Sequence, residues 1–278
     1  MPKADTLLTT MDSESWPSDL ERMQICVGGG KVNHSGKTVR LEIGPTAQVA
    51  EQKSDQRAAV TIPYCNAQLD DYHRDGQMRR RAPLRLALRA RFSHTGEMLM
   101  GTAGFGMWND PLGMTGRKRL RLPQTAWFFF ASRPSNLAFA LDVPGHGLKA
   151  ATLDAATPLS LILLPFAPLA FLALRWQWLY RQIWPLAQRL WRIDERPATL
   201  DMRQWHDYEL VWTEQEVRWS VDGQLLFCTS RTPKGPLGLV IWIDNQMMVA
   251  TPEGHFAHGT VATGQQWLEI ARLEVDTL

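Results

Sequence analysis

Apolar and polar positions alternate with a period of two over many short runs of this chain, the mark of half-buried strands. Trp205 to Gly223 carries the clearest pattern. Tyr208, Leu210 and Trp212 alternate with Glu209 and Val211, then Val217, Trp219 and Val221 alternate with Arg218 and Ser220. Two strands joined by a tight turn are predicted, with Asp222-Gly223 as a second turn ahead of a short strand from Gln224 to Cys228. Similar runs recur at 23–27, 38–43, 58–62, 84–92, 101–108, 125–131 and 137–141, separated by Gly, Pro and Asn/Asp clusters. In Leu239 to Gln246, placing Ile241 and Ile243 in the core turns Trp242 and Asp244 the other way, with Asn245 and Gln246 at the strand end. Such spacing predicts an all-β sandwich, not a βαβ protein.

The pattern changes abruptly after residue 150. Residues 158–174 carry no charge, but three prolines and a length below about 20 residues argue against one spanning helix. From Arg175 to Ile193 the period becomes helical. At about 100° per residue, Trp176, Leu179, Tyr180, Ile183, Trp184, Leu186, Ala187, Leu190 and Trp191 share one half of the helix, and Pro185 is expected to kink it. The chain therefore divides into a polar N-terminal segment (1–22), a first part of a sandwich (23–149), a hydrophobic helical insertion (150–197) and a second part of the same sandwich (198–278).

Composition narrows the chemistry only a little. A net charge of +2 predicts no particular partner, and the Arg79-Arg-Arg81 and Arg117-Lys-Arg119 clusters lack the interleaved aromatics of a nucleic-acid face. Three cysteines without short spacing give neither a disulfide framework nor a zinc site, and His255-Phe-Ala-His258 has no clear third ligand. No metal or cofactor is expected. Gly28 to Thr38 suggests a phosphate loop, but five residues separate Gly30 from Gly36 and a strand pattern follows, so hairpin loops explain the glycines. Met-Pro-Lys-Ala-Asp-Thr at the start lacks the apolar run of a secretory signal, giving an expectation of a cytoplasmic protein. The twelve tryptophans do change the picture, because some of so many in a β-protein line a cleft where a flat ligand stacks.

The run W-H-x-Y-x-x-x-W-T-x-x-x-x-x-W-x-V-D-G at 205–223 resembles a segment of concanavalin A-like jelly rolls, above all the laminarinase-like family-16 glycoside hydrolases. Arg79 to Phe92, Thr102 to Asn109 and the closing Trp267 to Val275 are similar to further strands of that family, so the resemblance spans about 23–145 and 200–276. It implies a concanavalin A-like β-sandwich, with Trp108 facing a cleft. It also implies a carboxylate motif, E-x-D-x-x-E, on a cleft strand. The run in that place, Trp127-Phe-Phe-Phe-Ala-Ser132, has no carboxylate. Retaining hydrolysis needs two carboxyls about 5–5.5 Å apart, and is not expected here.

The remaining candidates are single groups. Asp142 and His146 form either an acid/base pair at the cleft mouth or a polar strand end with a Pro-Gly turn. Asp244 is either a base of raised pKa beside Trp242 or an exposed strand end. Trp108, Asn109, Trp127, Phe129, Trp242 and Asn245 are the candidate ligand contacts. Trp176, Tyr180 and Trp184 would face such a ligand if the insertion is a lid. The insertion has no acidic residue from 158 to 193, which suits an interfacial helix; a dimerisation element is the third reading. The expected function is a non-hydrolytic, isomerase- or cyclase-like enzyme for a lipophilic small molecule, cytoplasmic or peripherally membrane-associated. The alternatives are a glycan-binding or glycoside hydrolase-like protein of the same fold, and a membrane-associated scaffold.

Overall fold

The computed structural model describes residues 20–47, 49–51, 59–111, 113, 121–140, 143–166, 169, 172, 176–251 and 255–278. After a 3-10 turn at Leu20–Met23 come β1 (Gln24–Val27), β2 (Lys31–Ser35), β3 (Thr38–Ile43), β4 (Val49–Glu51), β5 (Ala59–Thr61) and β6 (Asn66–Asp70). Then follow β7 (Leu84–Phe92), β8 (Thr102–Trp108), β9 (Gln124–Ala131) and β10 (Gly147–Asp154). Two helices, α1 (Pro158–Leu163) and α2 (Gln177–Leu190), precede β11 (Asp194–Pro197). The chain closes with β12 (His206–Trp212), β13 (Val217–Val221), β14 (Gln224–Thr229), β15 (Gly238–Asp244), β16 (Gln246–Ala250), β17 (Phe256–Thr260) and β18 (Gln266–Thr277).

These strands make two seven-stranded antiparallel sheets. The first has the order β1-β6-β15-β8-β9-β10-β11, the second β14-β13-β12-β7-β18-β3-β2. Consecutive hairpin strands such as β8-β9-β10 alternate with neighbours from distant parts of the chain, such as β6-β15 and β7-β18, as in a jelly-roll β-sandwich. The period of two decides which side chains meet between the sheets. Val39, Leu41 and Ile43 of β3, Phe105 of β8, Phe128 and Phe130 of β9, Leu210 and Trp212 of β12, and Ile241 and Ile243 of β15 are all buried in one core. Phe105 and Phe128 set their rings 4.9 and 5.1 Å from that of Tyr208. Trp219 of the second sheet donates its indole N–H across the core to the Trp127 carbonyl at 3.1 Å.

The two outer faces differ in chemistry. On the second sheet, Arg85 reaches Glu209, Glu274 and Asp276, Arg89 reaches Asp207, and Arg91 and Arg40 share Glu269. Cross-strand ion pairs of this kind belong to a face turned to water. The first sheet carries aromatics on its outer face instead.

The expected sandwich is present, with corrections. Residues 137–140 are not a strand; the neighbour of β9 is β10, paired from Gly147↔Ala131 to Asp154↔Gln124. Residues 150–154 and 194–197 belong to that sheet, so the insertion begins and ends inside the expected 150–197. The strand Asn66–Asp70 was not anticipated. Gly28-Gly29 turns the chain from the first sheet to the second, and only Gly36 lies in a hairpin, between Ser35 and Thr38. Residues 1–19 of the polar N-terminal segment lie outside the described residues. Within the 205–223 signature, His206 bonds Asp222 Oδ2 at 2.7 Å and the Asp201 carbonyl at 3.1 Å, while Arg91 lies over Trp205 at 4.7 Å. These residues brace the turn.

The Tyr208 hydroxyl is buried with no hydrogen-bond partner among the described residues. A hydroxyl desolvated without a partner costs about 1–3 kcal/mol. Tyr208→Phe keeps the ring packing and removes that cost, so urea unfolding should show unchanged or higher stability, with a rise of up to about 2 kcal/mol. A loss of more than about 1 kcal/mol would mean that the hydroxyl is satisfied after all.

Candidate functional site

Pairing across five strands orders the outer face of the first sheet into rows. Lys149, Phe129, Gly104, Trp242 and Gln68 lie in one; Ala151, Trp127, Gly106, Val240 and Asp70 lie in the next. Beyond them Ala131, Thr102, Asp244 and Asn66 form a third. Glycine on β8 makes room for the aromatics on either side. A Cβ on Gly104 would sit 2.4 Å from the Phe128 carbonyl oxygen and 2.8 Å from Cη2 of Trp242. One on Gly106 would sit 2.5 Å from the Ala126 oxygen and from Trp127 Cα.

Over this bare strand the rings join into one layer. Trp127 lies 5.1 Å from Phe129 in a stacked pair, 5.3 Å from Trp242 and 5.7 Å from Trp108; Phe129 and Trp242 are 5.9 Å apart. Tyr72, Val240 and Met78 extend the apolar surface. Trp242 is 7% exposed, whereas Trp108, Trp127 and Phe129 are half-buried. The layer therefore leaves part of its surface exposed.

Asp244 closes one end of it. The Trp242 indole N–H donates to Thr102 Oγ1 at 3.0 Å, and that hydroxyl donates to Asp244 Oδ1 at 2.8 Å. The backbone N–H groups of Gln246 and Thr102 reach the same oxygen at 3.0 and 3.3 Å. Burial outweighs these donors and pushes the carboxyl up to about 6. Asn66 stands opposite Asp244 in the ladder, and its buried Oδ1 has no partner among the described residues. At the other end Asp70 accepts from Gln68 Nε2 at 2.8 Å and from the Tyr72 and His73 N–H groups at 3.0 and 2.6 Å, and its Oδ1 lies 2.9 Å from His73 Nδ1. Burial raises this carboxyl too.

A third buried carboxylate lies at the β10–β11 edge. Glu195 pairs with Lys149 Nζ at 2.8 Å, both side chains 2% exposed. The loop before β10 covers the pair: Lys149 also donates to the Leu137 carbonyl at 2.9 Å, and the Ala140 N–H donates to Glu195 at 2.8 Å. Burial raises the Glu195 carboxyl against the pull of the ammonium.

Strand geometry sets the distances among these acids. Asp70 and Asp244 are four residues apart along the ladder, about 13 Å, and Glu195 is four strands across and four residues along from Asp244, about 23 Å. The two carboxyls of a glycosidase are about 5–5.5 Å apart when retaining and 6.5–9.5 Å when inverting. No pair among these three falls in either range.

The sequence-predicted residues separate into three groups. Trp108, Trp127, Phe129, Trp242 and Asp244 meet on one face. Asn109 and Asn245 brace loops instead: Asn109 Nδ2 donates to the Leu122 carbonyl and its Oδ1 accepts the Gln124 N–H, while Asn245 binds the Cys65 N–H and the Pro63 and Val261 carbonyls. Of the lid trio, Trp184 is 6% exposed and donates to the Phe139 carbonyl at 2.8 Å, whereas Trp176 is 68% exposed. His146 is half-buried in the loop ahead of β10; Asp142 and the Tyr180 side chain lie outside the described residues. Gln68, Asp70 and Thr102 were missed. Alternation of Asn66, Gln68 and Asp70 with Ala67 and Leu69 was the available signal.

No family model matches the chain, and no curated protein matches it. Among solved structures it is similar to a Bacillus licheniformis β-glucanase (TM-score 0.46, 9% identity, 96% of each chain). It is similar to a prokaryotic β-1,3-1,4-glucanase (lichenase) derived from a mouse hindgut metagenome (0.47, 9%, 95% of this chain and 96% of that one). It also resembles the endo-β-1,4-glucuronan lyase from the fungus Trichoderma reesei (0.45, 11%, 90% and 88%). At these scores the likeness is one of chain path, and no chemistry is carried over from it.

Two outcomes are expected here. The ordinary aspartate value is 3.8, so between about pH 4 and 6 folded Asp244 holds a proton that the unfolded chain has released. This group's contribution to stability therefore falls as pH rises through that window and stays low above it. Asp244→Asn has no such step: its stability relative to wild type should climb between pH 4 and 6, by at most about 3 kcal/mol. Parallel urea-unfolding profiles for the two proteins would refute the raised pKa. For the buried pair, Lys149→Met strands a buried carboxylate and should cost about 3–5 kcal/mol, while Lys149→Met with Glu195→Leu should recover most of it. A double variant as unstable as the single would show that the pair is required for the packing around it.

Proposed function

We propose that the outer face of β6, β15, β8 and β9 binds a carbohydrate, with Trp127 and Phe129 stacking on sugar rings, and that it does so without two-carboxylate hydrolysis. The observation that carries this reading is the contiguous four-ring layer over the glycine strand, partly exposed and bordered by polar groups. Aromatic faces carry negative quadrupole density and attract the C–H faces of sugar rings, while a few polar groups at the rim fix orientation. Gln68, Thr102 and Asp244 lie in the rows that contain or flank Trp242; they are buried and bonded to neighbouring protein groups, and so hold the layer's polar margin in place.

One observation favours a second reading, a lipophilic small molecule handled by an isomerase- or cyclase-like enzyme: burial raises the Asp244 carboxyl to about 6 at the end of the aromatic layer, where Thr102 links it to the Trp242 indole. Native mass spectrometry separates the two readings, since a co-purified lipid-like mass favours the second and a sugar the first.

The direct test of the first is isothermal titration with laminarin, lichenan and a polyuronate. Binding to at least one is expected, with no release of reducing ends. Trp127→Ala should weaken it at least about tenfold, the loss of one stacking ring, and Trp127→Phe should restore most of it. Absence of binding to all three, or binding indifferent to Trp127→Ala, would overturn the proposal.

A further inference from the structure

Ten of the fifteen exposed large apolar side chains among the described residues lie between Leu159 and Leu186. They include Leu161, Ile162, Phe166, Leu172 and Trp176, and Trp178 is 74% exposed. Scattered apolar side chains on a surface need no explanation, but such a concentration marks a contact surface. We infer that this face of the insertion docks on an anionic lipid surface, independently of what the aromatic layer binds.

The orientation of α2 is set by its attachment. Trp184 Nε1 and Gln188 Nε2 both donate to the Phe139 carbonyl, at 2.8 and 2.6 Å, and Trp184, Ala187 and Trp191 pack with Phe139, Leu153 and Ile193. At about 100° per residue the opposite side of the helix then carries Trp178, Gln182, Leu186 and Arg189. Tryptophan and leucine interleaved with arginine are what a helix lying in a membrane interface presents. No helix among the described residues is long and apolar enough to cross a membrane.

Charge decides the occupant. From 158 to 193 the chain has four arginines and no Asp or Glu. Arg181 and Arg189 are exposed and form no ion pair among the described residues, in contrast to the paired arginines of the second sheet. A second copy meeting this face about a two-fold axis would oppose arginine to arginine with no acid in the segment to separate them. Anionic headgroups supply the missing charge, and acyl chains take the apolar side chains.

Sedimentation of the full chain with sucrose-loaded vesicles tests this. Phosphatidylcholine vesicles containing about one-third phosphatidylglycerol should carry the protein down, and pure phosphatidylcholine should hold it at least tenfold less. Arg181→Glu with Arg189→Glu should reduce partition to the anionic vesicles by more than about fivefold per arginine and abolish their advantage over neutral ones. Trp178→Glu with Leu186→Glu should lower binding to both; these exposed positions leave the fold intact, which far-UV circular dichroism checks. Equal binding to neutral and anionic vesicles, or none to either, overturns the inference. So does a dimer detected by light scattering in the absence of lipid and dispersed by Trp178→Glu with Leu186→Glu.

Discussion

The absence of side chains at Gly104 and Gly106 is the constraint on which the rest of this sheet depends. Their inward-facing neighbours Ala103, Phe105 and Met107 are fully buried in the core. The outward positions are therefore the only ones where neighbouring strands can lay large rings flat across β8. A Cβ at Gly104 would meet the carbonyl of Phe128 and the edge of Trp242 together, so the aromatic layer and the β8–β9 pairing depend on the same glycine. Burying a large apolar side chain stabilises by about 1.5–3 kcal/mol, so the layer contributes to stability as well as offering a surface. The two contributions separate by position: Trp242, at 7% exposure, serves mainly the fold, and the half-buried Trp127 and Phe129 have surface left for a ligand.

Where one face of a strand meets the core and the other meets water, the alternation is plain in the sequence. That is why Thr38–Ile43 and Tyr208–Trp212 were legible. The sequence misleads where burial comes from something other than the sandwich. Lys149 sits on β10, yet a loop and a partner 46 residues away bury it, and no local pattern announces either. Leu137 to Leu141, more apolar than β10, reads as the better strand; its described part instead lays Leu137 and Phe139 carbonyls over the edge of the sheet. Asn109 and Asn245 show the same limit for the site. An amide at a strand end looks available to a ligand in sequence, but each here is taken up by backbone groups from a distant loop. Rings that can only lie on a surface are easier to foresee than amides with several choices of partner.

A sandwich accommodates the insertion because of where its ends lie. β10 and β11 pair antiparallel, Thr152 opposite Asp194, so everything between them is the loop of a hairpin. Loop-closure entropy grows only with the logarithm of length, so such a loop can be long at small cost to the sheet. Its base is pinned: the Asp154 N–H donates to the Trp191 carbonyl at 2.7 Å, the Ile193 N–H to Gln188 at 2.9 Å, and Arg231 to the Ile193 carbonyl. α2 then closes over the Phe139 loop, which in turn closes over Lys149 and Glu195. This chain of contacts runs from the buried ion pair to the apolar outer side of the helix. It fixes the insertion at the β11 edge of the sheet, beside the strand that carries Trp127 and Phe129 only through β10. The sheet thus keeps its central strands for the aromatic layer and carries the insertion on its margin. A change in the outer side of α2 can alter what the margin touches without passing through the core that positions the rings.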